Sequence, residues 1–190
     1  NYLSTGTPPA GLYTRPESFF KKNNIQLHLE TSIKRIEPGA DRIFDHLEKQ
    51  YSYDTLFLGV GTRQRILPVD FIPESGYFRF AELSDVIAIE TFLKTHMPKT
   101  AIVVGAGLSG VECADALTER GLRVTLVDTA SFPLPRLLIP EAGAILEKRM
   151  REMGTTFYQT AQALNVMVEP FSKRTVGVIM DDGLELFADM

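Results

Sequence analysis

The chain has 190 residues, 44% of them hydrophobic and 23% charged, with a formal net charge of −4, proportions of a globular protein rather than of the disordered class with low hydrophobicity and high net charge. That length holds one ordinary domain or two partial ones, and the acidic balance provides no basic field to gather a nucleic acid. The single cysteine, Cys113, excludes an internal disulfide, a CxxC redox pair and a cysteine zinc site.

No apolar run approaches the roughly 18 residues that read as a membrane span, and Asn1-Tyr2-Leu3-Ser4 carries no signal pattern. The expectation is a cytoplasmic protein with neither a membrane nor a nucleic-acid partner. The chain begins at Asn1 without an initiator methionine and ends at Ala188-Asp189-Met190 inside an expected strand, which reads as a piece of a longer protein.

Thr14-Arg15-Pro16-Glu17 has the hydroxyl, early proline and first-turn acid of a helix start, running into a short helix that ends near Asn23-Asn24. The alternation in Ile25 to Leu29 and in Ser32 to Ile36 predicts strands, with Pro38-Gly39 as a turn. Asp41 to Phe44 and Gln50 to Tyr53 predict a hairpin, and the apolar run Leu56 to Val60 predicts a strand buried on both faces that Gly61 breaks. Gln64 to Gly76 reads as a connector.

Ser84-Asp85 predicts a helix cap, followed by an apolar face through Val86, Ile87, Ile89, Phe92 and Leu93 and a stop at Pro98. From there the pattern becomes strand, helix, strand, helix: Ala101 to Val104, Leu108 to Arg120, Arg123 to Val127, and Pro140 to Met153 with Gly154 at its end. Strands follow at Thr156 to Tyr158, Ala163 to Val168, Thr175 to Met180 and Leu184 to Ala188, the last two joined at Asp181-Asp182-Gly183.

The strand at Ala101 to Val104 runs directly into Gly105-Ala106-Gly107-Leu108-Ser109-Gly110 and then a helix, the context that a G-x-G-x-x-G phosphate turn requires. Gly105 suits the tight turn, Gly107 the approach of backbone to a pyrophosphate, and Gly110 the close packing of helix on strand. The helix N-terminus adds unpaired N–H groups and partial positive charge. Asp128, at the end of the second strand, lies 18 residues beyond Gly110, near the ~20 expected of the acid that bonds the adenosine ribose hydroxyls. An isolated strand-end aspartate would otherwise read as a solvated carboxylate. Thr129-Ala130-Ser131 follow where an NADP site usually places arginine, so NADH is the expected cofactor, with Arg136 the nearest later cation.

Leu12 to Phe20, the strands from Ile25 to Ile36, Tyr53-Asp54-Thr55-Leu56, the glycine unit and Asp182-Gly183 occur in an order that resembles the pyridine nucleotide-disulfide oxidoreductase superfamily, in the branch of ferredoxin, rubredoxin and nitrite reductase-type flavoproteins and NADH oxidases. The resemblance implies an α/β chain: a Rossmann-like NAD-binding domain with a parallel sheet at residues 81–190, its last strand truncated, preceded by an incomplete FAD-binding domain at residues 1–80. It further implies that Gly61, Thr62 and Arg63 meet the flavin nucleotide, with Val60 in place of the usual threonine, and that Ile33 meets the adenine. The glycine unit with Leu108, Ser109 and Thr129 would line the NAD site, Ser109 replacing the isoleucine usual in the ferredoxin-reductase branch. Glu112 matches a glutamate near the nicotinamide end, although a helix-surface glutamate is the plainer reading.

Cys113 reads as a small core hydrophobe. His28, His46 and His96 have no metal-ligand spacing, and no hydroxyl nucleophile has its local signature. The function expected is an FAD-dependent NADH oxidoreductase that passes hydride to FAD and on to a redox protein or small acceptor, the segment alone being inactive. The alternative is an NAD-binding module or truncated fragment without turnover.

Overall fold

The structure is a computed structural model that describes Leu3, residues 15–61 and residues 75–190. The contacts divide the chain into two units, one of residues 13–62 and one of residues 1–12 with 63–190. In the smaller unit, helix α1 (Glu17–Lys22) precedes an antiparallel meander of β1 (Ile33–Glu37), β2 (Arg42–Asp45) and β3 (Gln50–Ser52). Pro16 holds the N-cap position of α1 and makes no side-chain cap bond, while Thr14, expected as its cap, lies outside the described residues. Asp45 fixes the β2–β3 turn by accepting the Leu47 and Lys49 N–H groups and the Tyr51 hydroxyl at 2.8, 3.0 and 2.9 Å.

Two strand expectations fail in this unit. Ile25 to Leu29 and Leu56 to Val60 are irregular, and Phe57 and Val60 are 90% and 87% exposed. Apolar patterning signals a face that seeks cover, but a strand also needs a neighbour to complete its ladder. Among the described residues no strand pairs with either run.

The larger unit begins its described part with helix α2 (Leu83–His96), then β4 (Thr100–Val104), α3 (Leu108–Glu119), β5 (Arg123–Val127), α4 (Pro140–Met153) and β6 (Thr155–Tyr158). Asp85 stabilises the start of α2 from inside its first turn, accepting the Ala81 and Glu82 N–H groups at 3.0 Å, and Ser84 is not the cap. Strands β4, β5 and β6 form a parallel sheet in that order, each crossover made by one helix, as parallel pairing requires. Beyond it, β7 (Ala163–Val168), β8 (Thr175–Met180) and β9 (Glu185–Phe187) form an antiparallel meander.

One core lies between α2, α3 and the parallel sheet, built from Ile89, Ala101, Ala114, Leu117, Val124, Leu126 and their neighbours. A second joins Val127 to Ala163, Val166, Val178 and Met180 of the meander. The chain returns to the free edge of β4, where the Asp189 N–H donates to the Thr100 carbonyl at 3.2 Å and the Asp189 carboxylate accepts the Lys99 N–H at 2.7 Å. Among the described residues no helix is long and apolar enough to cross a membrane.

Candidate functional site

The site grows from the carboxyl end of the parallel sheet, where β4 gives way to α3 and β5 ends at Asp128. β4 and β5 are paired in register, Val104 opposite Val127, so the glycine turn and Asp128 leave the sheet side by side. The Gly105 N–H donates to the Val127 carbonyl at 2.7 Å, and Gly105 then takes a φ of +106°, which a side chain would strain. Gly107 occupies the N-cap position of α3 in extended conformation, so the first N–H groups of the helix have no side-chain cap.

The three glycines differ in what a Cβ would meet. At Gly105 and Gly107 it would meet nothing within 4 Å, whereas at Gly110 it would overlap the Gly105 carbonyl oxygen. Gly110 is therefore required by close packing of helix on turn. The space over Gly107 is open, as a pyrophosphate lying on the backbone would need. Leu108 and Ser109 are exposed at the helix start, so the turn, the unpaired N–H groups and the positive end of the helix dipole all face the same opening.

Asp128 is half-buried, and its carboxylate is already in use. Oδ2 accepts the Ala106 N–H at 2.6 Å and Oδ1 accepts the Ala130 N–H at 2.8 Å. The Thr129 hydroxyl stands 3.5 Å from Oδ1. Ala106, completely buried, is held from its other side as well, since its carbonyl accepts the Leu134 N–H at 2.8 Å. The loop that follows β5 is thus strapped to the glycine turn, and Pro133 beside Leu134 is fully buried. Neither Leu134 nor Ala130 stood out in the sequence, because each takes part through its backbone N–H, which leaves no periodic signal.

Arg136 is exposed in this loop. Glu112 is exposed one turn into α3, and Cys113 next to it is buried, which pushes its thiol up to about 12. On the β4 side an apolar cavity of about 290 Å³ opens beside Ser109 and Gly110, walled by Phe78, Phe80, Val103 and Cys113. Arg79 and Thr175 also line it. The structure therefore brings together Gly105, Ala106, Gly107, Leu108, Ser109, Gly110, Asp128 and Thr129.

Of the residues expected at the flavin nucleotide, Ile33 and Gly61 belong to the smaller unit. Ile33 starts β1 with 44% of its surface exposed, and Gly61 has a φ of +70°. Thr62 and Arg63 lie outside the described residues. Gly61 and Ile33 are thus the described part of that set.

The family model described as pyridine nucleotide-disulphide oxidoreductase matches residues 6–190. The nitrite reductase [NAD(P)H] of Bacillus subtilis is 27% identical over 172 residues, which covers 90% of this chain and 21% of that protein. The crystal structure of a ferredoxin reductase from Rhodopseudomonas palustris superposes with a TM-score of 0.85 at 25% identity, over 100% of this chain and 46% of the other. Putidaredoxin reductase, solved in covalent complex with putidaredoxin, superposes with a TM-score of 0.85 at 28% identity, over 100% of this chain and 46% of that one. The chain spans less than half the length of these relatives. Relatives of this kind are NAD(P)H-dependent flavoprotein oxidoreductases that use FAD. The chain belongs to the pyridine nucleotide-disulphide oxidoreductase family.

Proposed function

We propose that this chain is the NADH-binding part, with a portion of the flavin-binding part, of an FAD-dependent NADH oxidoreductase. The observation that carries the proposal is the glycine turn itself: open above Gly107, closed at Gly110, and adjoined by the Asp128 carboxylate at the end of the neighbouring strand. These are the features a dinucleotide pyrophosphate and its adenosine ribose require of a protein.

Residues 81–190 bind the nicotinamide dinucleotide and residues 1–80 contribute to the flavin site. The Gly105–Gly110 backbone and the α3 N-terminus receive the pyrophosphate. Asp128 accepts from the ribose hydroxyls, with Thr129 beside it. Glu112, exposed on α3, stands at the nicotinamide end. Gly61, Thr62, Arg63 and Ile33 serve the flavin nucleotide. FAD, when bound, supplies the chemistry of accepting hydride and passing electrons to an acceptor, and the chain's own residues bind and orient the two cofactors. A small redox protein is the acceptor favoured by the likeness to a reductase solved with its redox-protein partner.

Titration of the chain with NADH, followed by nicotinamide fluorescence or calorimetry, tests the proposal. Saturable one-to-one binding that Gly107→Val removes is the expected result. Binding that Gly107→Val leaves intact would place the dinucleotide elsewhere.

A further inference from the structure

We infer that Asp128 is a positioning residue for the phosphate turn, in addition to any contact it makes with ribose: its carboxylate latches the Ala106 peptide and so holds the Gly105–Gly110 backbone in its anion-receiving form. The inference rests on the reading of that turn as the pyrophosphate site.

Two backbone donors fix the carboxylate. The Ala130 N–H, on the residue two beyond Asp128, orients it through Oδ1 at 2.8 Å, and Oδ2 then receives the Ala106 N–H across the gap between two strand ends at 2.6 Å. Charge-assisted bonds of this kind are the short, strong class. The next peptide is restrained as well, since the Ala106 carbonyl accepts the Leu134 N–H. Ala106 lies between Gly105 and Gly107, residues with few steric restraints of their own, and a Cβ at either would meet nothing within 4 Å. What grips Ala106 therefore holds the middle of the turn, between the Gly105 N–H bonded to the Val127 carbonyl and Gly110 packed on the Gly105 carbonyl. An ionised carboxylate has about four acceptor sites, of which the two N–H groups take two, so ribose hydroxyls still find partners.

The sign of one measurement separates this role from ribose recognition. A ligand with a pyrophosphate but no ribose hydroxyls, 2′,3′-dideoxyadenosine 5′-diphosphate, cannot bond Asp128. If Asp128 served only the hydroxyls, deleting its negative charge would leave binding of this anion unchanged or tighten it, because like charges repel. A latch predicts the opposite. Asp128→Ala should weaken dideoxy-ADP about tenfold, the usual scale for one lost bond to a charged group. Asp128→Asn keeps one acceptor oxygen for the Ala106 N–H and should recover most of the dideoxy-ADP affinity while still losing the preference for ADP over its dideoxy form.

Amide hydrogen exchange at Ala106 without ligand provides a second readout. It should accelerate in Asp128→Ala and return toward the unmutated rate in Asp128→Asn, with the rest of β4 and β5 unchanged. Dideoxy-ADP affinity that Asp128→Ala leaves unchanged or raises, or Ala106 exchange that does not respond, would overturn the latch. If the unmutated chain binds neither ADP nor NADH, the pyrophosphate reading fails, and the ligand-dependent role of Asp128 is overturned with it even where the exchange arm shows Ala106 held.

Discussion

Gly110 lies against Gly105 so closely that a Cβ on Gly110 would overlap the Gly105 carbonyl oxygen and sit 2.9 Å from its carbonyl carbon. Both partners are backbone, so no side chain can swing aside to make room. Gly110→Ala should therefore cost about 1–3 kcal/mol, the range for forcing an extra methyl into a packed site. Urea unfolding reads this as a lower midpoint at an unchanged slope. A midpoint equal to that of the unmutated chain would show that the start of α3 can shift away from the turn at no cost.

Gly107 is the counterpart. A side chain there meets nothing within 4 Å and the backbone is extended, so Gly107→Val should lower stability by no more than about 1 kcal/mol, chiefly through the poor fit of valine at an N-cap. Its cost should fall on NADH binding, since the added methyls occupy the space over the turn. The two substitutions together dissociate stability from binding within one motif: Gly110→Ala moves the urea midpoint most, and Gly107→Val moves the NADH constant most.

The larger unit was readable in the sequence because each element has a local cause. β5, α4, β7 and β8 fall at the expected residues, set by runs of Val, Ile and Leu, by Pro140 at a helix start and by Gly154, φ +109°, at its stop. The glycine turn was readable for the same reason, its context being the strand before and the helix after. Ile25 to Leu29 and Leu56 to Val60 misled because an apolar pattern says that a segment seeks a partner and not that one is present. The bonds from Ala106 to Asp128 and Leu134 could not be read at all. They join loops 22 and 28 residues apart, and the Ala106 N–H and carbonyl and the Leu134 N–H that take part are backbone groups with no residue-type signal, Asp128 alone contributing a side chain.

Cys113 offers a test by pH. Burial raises its thiol from 9.0 to about 12, so the folded chain holds the neutral thiol where the unfolded chain has already lost the proton. The contribution to stability is complete below pH 9 and is lost as pH rises from 9 toward 12. Over that interval a single thiol removes about 1.4 kcal/mol of stability per pH unit. The difference in unfolding free energy between the unmutated chain and Cys113→Ala should fall with that slope between pH 9 and 11, and stay flat between pH 6 and 8. The folded thiol should also resist iodoacetamide at pH 8 until urea unfolds the chain. Rapid alkylation under native conditions would contradict the burial.

The choice between NADH and NADPH turns on the charge of Asp128. A 2′-phosphate placed against that carboxylate puts two anions together in a partly desolvated cleft, and it also removes the hydroxyl that would donate to the carboxylate. A charge-assisted hydrogen bond of this kind contributes about 1.5–3 kcal/mol, so its loss alone predicts a preference for NADH of at least about tenfold. Asp128→Ser should bring the two dissociation constants close together. Because the same carboxylate holds Ala106, both constants should also rise, which sets this substitution apart from a pure change of selectivity. Adding Thr129→Arg should then favour NADPH, since residue 129 is exposed directly beside Asp128 and a guanidinium there can meet a phosphate with two parallel bonds. Arg136, exposed in the loop strapped to the turn, should add little unless Asp128 is removed first, and Arg136→Ala in the unmutated background tests that. The proteins should be compared at one ionic strength, because screening weakens contacts between exposed charges. Equal affinity of the unmutated chain for NADH and NADPH, or a selectivity that survives Asp128→Ser, would place the ribose away from Asp128.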